Sequence, residues 1–66
     1  NKKEKAIFHY KKAVEVDPNH IDAHFNLGYL YYTQGRLKQA SIEFKRVLEL
    51  EPRHYKATLL LEKMVQ

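Results

Sequence analysis

The chain repeats itself with a period of 34 residues, and this repeat limits the possible folds more than any other feature. Pro18 and Pro52 are 34 residues apart and lie in two versions of one hexapeptide, E-V-D-P-N-H and E-L-E-P-R-H. Identical pairs at the same distance include Ala6 with Ala40, Lys11 with Lys45, Glu15 with Glu49, Ala23 with Ala57 and Leu27 with Leu61. A period between about 20 and 50 residues is typical of stacked repeat proteins. The 66 residues therefore hold about two periods of a repeat array.

Four helices are predicted, because apolar residues recur at helical spacing in four segments. The first three cover residues 2–16, 21–34 and 37–50, and the last begins near Tyr55, with Met64 and Val65 among its apolar positions. Short loops between helices make neighbouring helices antiparallel. No segment shows the alternation of a strand, and a chain without cysteine has no disulfide to stabilise it.

The predicted helix ends depend on residues that interrupt or cap a helix. Pro18 and Pro52 end the first and third helices, because the residue before a proline is pushed out of the helical region. Gly35 ends the second helix, as glycine commonly does just past a C-terminus. Asn19 or Asp22 is expected to cap the start of the second helix, since both side chains accept hydrogen bonds from free backbone N–H groups.

The second predicted helix carries two apolar stripes, whereas a surface helix needs only one to join a core. The first stripe consists of Ala23, Leu27, Leu30 and Tyr31. The second consists of Phe25, Tyr29 and Tyr32, with Asn26 and Thr33 beside it. Gly28 lies where both stripes leave a gap, which indicates close approach by a neighbouring backbone. The second stripe is therefore the candidate functional surface.

Residues 21–54 resemble one complete tetratricopeptide repeat. Six of the eight signature positions match, namely Leu27, Gly28, Tyr31, Ala40, Phe44 and Pro52. His24 stands where a bulky apolar residue is usual, and Val47 stands where a small residue is usual. Residues 1–20 are similar to the second half of a repeat, through Ala6, Tyr10, Ala13 and Pro18, and residues 55–66 are similar to a first helix.

The resemblance implies an all-α fold. Antiparallel helix–turn–helix repeats would stack as a right-handed superhelical solenoid of about four helices. Residues 1–20 are then the second half of a repeat, residues 21–54 a complete repeat, and residues 55–66 either the first helix of a third repeat or a terminal capping helix. Glu62 occupies the position equivalent to Gly28. A capping helix explains this glutamate, and so does a repeat that has diverged.

The resemblance also implies a concave groove that binds peptides or partner helices, so the chain is expected to be a protein-interaction scaffold without catalysis. Lys56 and Lys63 would favour an acidic ligand. The groove residues implied by the resemblance are Asp22, Phe25, Asn26, Tyr29, Tyr32 and Thr33 on the second helix, and Lys56, Leu59, Leu60 and Lys63 on the last. Family members that clamp the C-terminal carboxylate of heat-shock chaperones share Asn26 and Lys56. Leu60 stands where that clamp needs Arg or Lys, which argues against this ligand.

The alternative is a purely structural role. The segment would then be one stacking unit of a longer array within a larger protein, such as a glycosyltransferase with a repeat domain. One repeat buries its apolar face only by stacking on neighbours. Ala6, Tyr10 and Ala13 on the first helix have no preceding helix to pack against in this sequence. Self-association or helix exchange through these residues is therefore expected.

Catalytic, cofactor, nucleic-acid and membrane functions are not expected. Ser41 is the only serine and has Glu43 rather than a histidine nearby, and no phosphate-binding glycine loop occurs. The net charge of +4 is spread among interspersed signs, whereas nucleic-acid binding needs a clustered patch. No apolar run approaches the roughly 20 residues of a membrane span. The cytoplasm is favoured as the compartment, although the sequence does not identify it.

The histidines allow two further hypotheses. His20 and His24 have the four-residue spacing of a helical metal site, but such a site needs three or four ligands, so a structural role is preferred and no metal is expected. His24 lies in a packing position, and its protonation is expected to loosen the core at low pH.

Overall fold

The computed structural model describes residues 1–64, and within that range the chain forms four α-helices and no strand. The helices are α1 (Lys2–Val16), α2 (Ile21–Thr33), α3 (Leu37–Leu50) and α4 (Tyr55–Met64). Each helix packs against the next one along the chain. The predicted all-α class and helix–turn–helix solenoid are confirmed. Val65, an apolar position of the predicted last helix, lies outside the described residues together with Gln66.

The end of α2 differs slightly from the prediction. The helix ends at Thr33, and Gln34 is the cap residue, although the N–H of Gln34 still donates to the carbonyl of Leu30 at 3.2 Å. Gly35 follows with a φ of +74°. This left-handed conformation costs a residue with a Cβ about 1–2 kcal/mol, which explains why a glycine ends the helix here.

The core lies between α2 and α3 and depends on Gly28. Phe44, Leu27 and Val47 are the largest fully buried side chains. A Cβ atom added to Gly28 would lie 2.9 Å from Cε1 of Phe44 and 3.0 Å from Cβ of Glu43. The predicted close approach at Gly28 is thus confirmed, because the Phe44 ring occupies the space that any other side chain would need.

Histidines, rather than Asn19 or Asp22, cap the two helices that follow a proline turn. Nδ1 of His20 accepts a hydrogen bond from the backbone N–H of Ala23 at 3.1 Å. The prediction of an Asn19 or Asp22 cap was wrong, because the helix begins directly after His20, whose side chain reaches the free N–H group. The same contact recurs 34 residues later, from Ala57 N–H to Nδ1 of His54 at 3.1 Å. The conserved hexapeptide therefore encodes a helix start as well as a helix end.

The α1 face that corresponds to the buried face of α3 is only partly covered. On α3, Ala40, Phe44 and Val47 are 0% exposed. The residues 34 positions earlier, Ala6, Tyr10 and Ala13, are half-buried. Ile7 is instead the buried residue of α1, although the sequence pattern gave it only a secondary place on the apolar face. The difference arises because α1 contacts α2 on one side and has no helix equivalent to α2 on the other.

Candidate functional site

A row of aromatic rings runs along the second stripe of α2. The rings of Phe25 and Tyr29 have centroids 6.3 Å apart and are nearly parallel, at 19°. The Tyr29 and Tyr32 centroids are also 6.3 Å apart. His54, at the start of α4, extends the row, because its ring lies 5.0 Å from that of Phe25. The helical spacing of the three α2 residues places their rings on one face, and the α3–α4 turn adds the fourth ring.

A concavity of about 330 Å³ lies beside this row, between α2 and α4. It is lined by Phe25, Tyr29, Lys56, Leu59 and Leu60, all of which the resemblance assigns to the groove. The three α4 residues share one helix face, because they are three and four positions apart. Four of the five lining side chains are apolar or aromatic, so the concavity suits an apolar group.

The remaining five groove residues predicted from the resemblance do not line this concavity. Asp22, Thr33 and Lys63 are exposed, and Asn26 and Tyr32 are half-buried. The Thr33 hydroxyl donates to the carbonyl of Leu30 at 2.8 Å, so its donor is used within α2. The structure thus brings half of the predicted set together around one concavity, while the other half lies elsewhere on the two helices.

Phe25 also belongs to the packing between helices. Its ring centroid is 5.5 Å from that of Phe44, and the side chain is half-buried against the core. The sequence pattern favoured Tyr32 over Phe25 as the ring used for packing, but both pack against the core. Tyr29 is 47% exposed and is therefore the ring of the row most available to a ligand.

The charge at the concavity comes from α4. Lys56 is the charged residue of the lining, and Lys63 lies two turns further along the same helix. The four ion pairs within residues 1–64 involve neither lysine. Two exposed ammonium groups flanking Leu59 and Leu60 attract negative charge. His54, which the sequence pattern treated only as a turn residue, adds a polar edge beside Phe25; its repetition at the position of His20 was the available signal.

The described residues contain neither a metal cluster nor a membrane-spanning helix. No group of three or more His, Cys, Asp or Glu side chains in residues 1–64 is placed to hold a metal ion. His20 caps α2 through Nδ1, and both ring nitrogens of His24 contact other groups, so the two histidines do not form a pair of free ligands. Within the same residues, none of the helices has the length and apolar character needed to cross a bilayer.

The fold and groove define a helical repeat protein, in which antiparallel helix pairs stack along one axis. Two family models match the chain, one described as a TPR repeat over residues 1–35 and one described as a tetratricopeptide repeat over residues 21–54. The chain belongs to the tetratricopeptide repeat family. Repeats of this family are generally protein–protein interaction modules.

Several curated proteins are similar to this chain over most of its length. BBSome complex member BBS4 of Bos taurus is 38% identical over 63 residues, which are 96% of this chain and 12% of that protein. Anaphase-promoting complex subunit 3 of Schizosaccharomyces pombe is 37% identical over 49 residues, which are 74% of this chain and 7% of that protein. A UDP-N-acetylglucosamine–peptide N-acetylglucosaminyltransferase of Giardia intestinalis is 33% identical over 48 residues, or 73% of this chain and 3% of that protein. The chain therefore spans only a small part of each of these relatives.

Proposed function

We propose that the chain is a non-catalytic binding unit that holds a peptide or a partner helix against α2 and α4. The observation that carries this proposal is the concavity lined by Phe25, Tyr29, Leu59 and Leu60, with Lys56 at its side. Rings and leucines supply apolar contact area, and a few large side chains commonly provide most of the affinity of an interface. The relatives named as members of the BBSome and of the anaphase-promoting complex support a role in protein assembly.

The ligand has an apolar side chain next to an acidic one. The apolar side chain occupies the concavity, where it contacts Tyr29 and Leu59. The acidic group lies near Lys56 or Lys63, both of which are exposed and outside the ion pairs of residues 1–64. Exposed lysines contribute to orientation and association rate more than to affinity, so the apolar contact supplies most of the binding free energy.

The test is selection of a random peptide library against the chain, followed by a counter-screen with a Tyr29→Ala, Lys56→Glu variant. Phe25 is left intact, because its contact with the buried Phe44 ring would confuse a loss of binding with a loss of fold. The matched control is Ile42→Ala, Lys38→Glu, which removes an exposed apolar residue and reverses an exposed lysine on α3.

Selected peptides should carry an apolar residue close to an acidic one. Their affinity should fall at least about tenfold in the Tyr29→Ala, Lys56→Glu variant, which corresponds to about 1.4 kcal/mol, and stay unchanged in the control. Peptides that bind both variants equally would place the ligand elsewhere. If no peptide discriminates, the purely structural role replaces the groove as the function of this segment.

We also propose that the half-covered face of α1 contacts a helix of another repeat, supplied by a second copy when the chain is alone. The difference in burial between Tyr10 and its counterpart Phe44 supports this proposal. Sedimentation velocity over a concentration series should reveal association that Tyr10→Lys removes. Phe8→Lys, at an exposed position of the same helix, should leave the association intact. A parent chain that stays monomeric over the whole series would contradict the proposal.

A further inference from the structure

His24 joins three segments of the repeat through both of its ring nitrogens. The residue is only 8% exposed. Nδ1 lies 2.8 Å from Oε1 of Glu43 on α3, and Nε2 lies 2.8 Å from the carbonyl oxygen of Pro18 in the preceding turn. One ring therefore connects α2 with the turn before it and with the helix packed against it. The family pattern has a bulky apolar side chain here, which would fill the same space without any polar contact.

The partners of the ring fix the number of protons at this site. A backbone carbonyl only accepts hydrogen bonds, so Nε2 must carry a hydrogen to contact Pro18. A neutral ring would then direct the Nδ1 lone pair at the Glu43 carboxylate, and two acceptors 2.8 Å apart repel each other. The contact is favourable only with a further proton between Nδ1 and Oε1, in an imidazolium–carboxylate or imidazole–carboxylic acid pair. Both forms contain the same number of protons.

We infer that the folded repeat holds one proton between His24 and Glu43 and loses stability as this proton leaves at rising pH. In the unfolded chain an ordinary histidine has released its second proton above about pH 6.5. Where the folded state binds more protons than the unfolded state, the free energy of unfolding falls with increasing pH. The sign is opposite to the low-pH loosening expected from the sequence, which did not anticipate that both nitrogens face acceptors.

The charged groups around His24 act in both directions. Glu43 is the group in direct contact and favours the proton. Arg46, also on α3, disfavours it, but its guanidinium contacts the carbonyl of Pro18 at 3.5 Å and Oδ1 of Asn19 at 3.2 Å rather than the ring. In the turn, the Asp17 carboxylate accepts from the Asn19 N–H. No other charged side chain of residues 1–64 forms a hydrogen bond or ion pair with His24.

The two capping histidines respond to pH with the opposite sign. Nδ1 of His20 and Nδ1 of His54 accept hydrogen bonds, so a proton on either nitrogen removes the cap. Their contribution to stability therefore grows as pH rises. The pH profile of the whole chain is a sum of opposing parts, and the contribution of His24 is visible only as a difference between matched variants.

The experiment is urea unfolding of the full chain, followed by far-UV circular dichroism between pH 6.0 and 8.5, for the parent and Glu43→Gln. The glutamine amide can donate an N–H to the unprotonated Nδ1, so it satisfies the neutral ring. The control is Glu49→Gln, which removes an exposed carboxylate paired with Arg46 on the same helix. Relative to Glu43→Gln, the unfolding equilibrium constant of the parent should increase with pH, by at most about tenfold per unit, which is one proton.

The Glu49→Gln control should keep the parental pH dependence. Identical pH dependence in the parent and in Glu43→Gln would overturn the inference. A second measurement decides the question even if a variant does not fold: ¹⁵N–¹H NMR of the ring nitrogens of His24 in the parent at pH 7. An unprotonated Nδ1 signal beside an ionised Glu43 carboxylate would also overturn it, whereas signals of a proton between the two groups support it.

Discussion

Gly28→Ala separates two opposing effects of known size. In an isolated helix, alanine is more favourable than glycine by about 1 kcal/mol. In this chain the new Cβ would lie 2.9 Å from the Phe44 ring and 3.0 Å from Cβ of Glu43. Phe44 is fully buried and Cβ of Glu43 moves only with its backbone, so α2 and α3 must separate. Such overpacking costs about 1–3 kcal/mol. We expect a net loss of about 1 kcal/mol.

Chemical and thermal unfolding monitored by circular dichroism measure this loss directly. For a chain of this size, 1 kcal/mol corresponds to a decrease in Tm of about 4–8 °C. Phe44→Leu removes the ring atoms that meet the new Cβ, so in that background Gly28→Ala should be less harmful, with a coupling free energy of about 0.5 kcal/mol or more. A Gly28→Ala chain that is more stable than the parent by about 1 kcal/mol would refute the steric argument, because only the helix propensity would then be acting.

Two further substitutions test the local reasons for the helix ends. His20→Ala should lower the free energy of unfolding by about 1 kcal/mol, measured by urea denaturation at pH 8, because the N–H of Ala23 loses its acceptor; an unchanged midpoint would show that the cap adds nothing. Gly35→Ala should lower it by about 1–2 kcal/mol, because φ is +74° and no atom lies within 4 Å of the added Cβ, so the cost is conformational only. A gain in stability for Gly35→Ala would contradict this reading of the turn.

Most of the fold could be predicted from the sequence, because the strongest local signals and the repeat agree. Pro18 and Pro52 mark the ends of α1 and α3, and Gly35 marks the end of α2 to within one residue. The helix caps could not be predicted from side-chain preference, since histidine is not a common N-cap residue. The recurrence of His20 as His54 was a usable signal, because two residues at equivalent positions of a repeat share their local structure.

The groove residues remain a prediction, and the structure shows why the sequence cannot rank them. Helical spacing assigns Phe25 and Tyr32 to a second stripe, but how far a ring turns toward the groove or toward α3 depends on how the helices pack. Packing places Phe25 against Phe44, and leaves Tyr29 more exposed. The partners of His24 lie in the preceding turn and 19 residues further along the chain, so no local pattern reveals them.

The aromatic row on α2 makes the chain its own optical reporter. Tyr29 and Tyr32 are two of five tyrosines, and the chain has no tryptophan. A tryptophan placed in a ligand would therefore be the only one in the sample, and it would receive excitation energy from the tyrosines only when it lies close to them. Tyrosine emission would weaken and tryptophan emission would increase as the concavity fills. Occupancy of the groove can thus be followed by fluorescence, without a label on the protein.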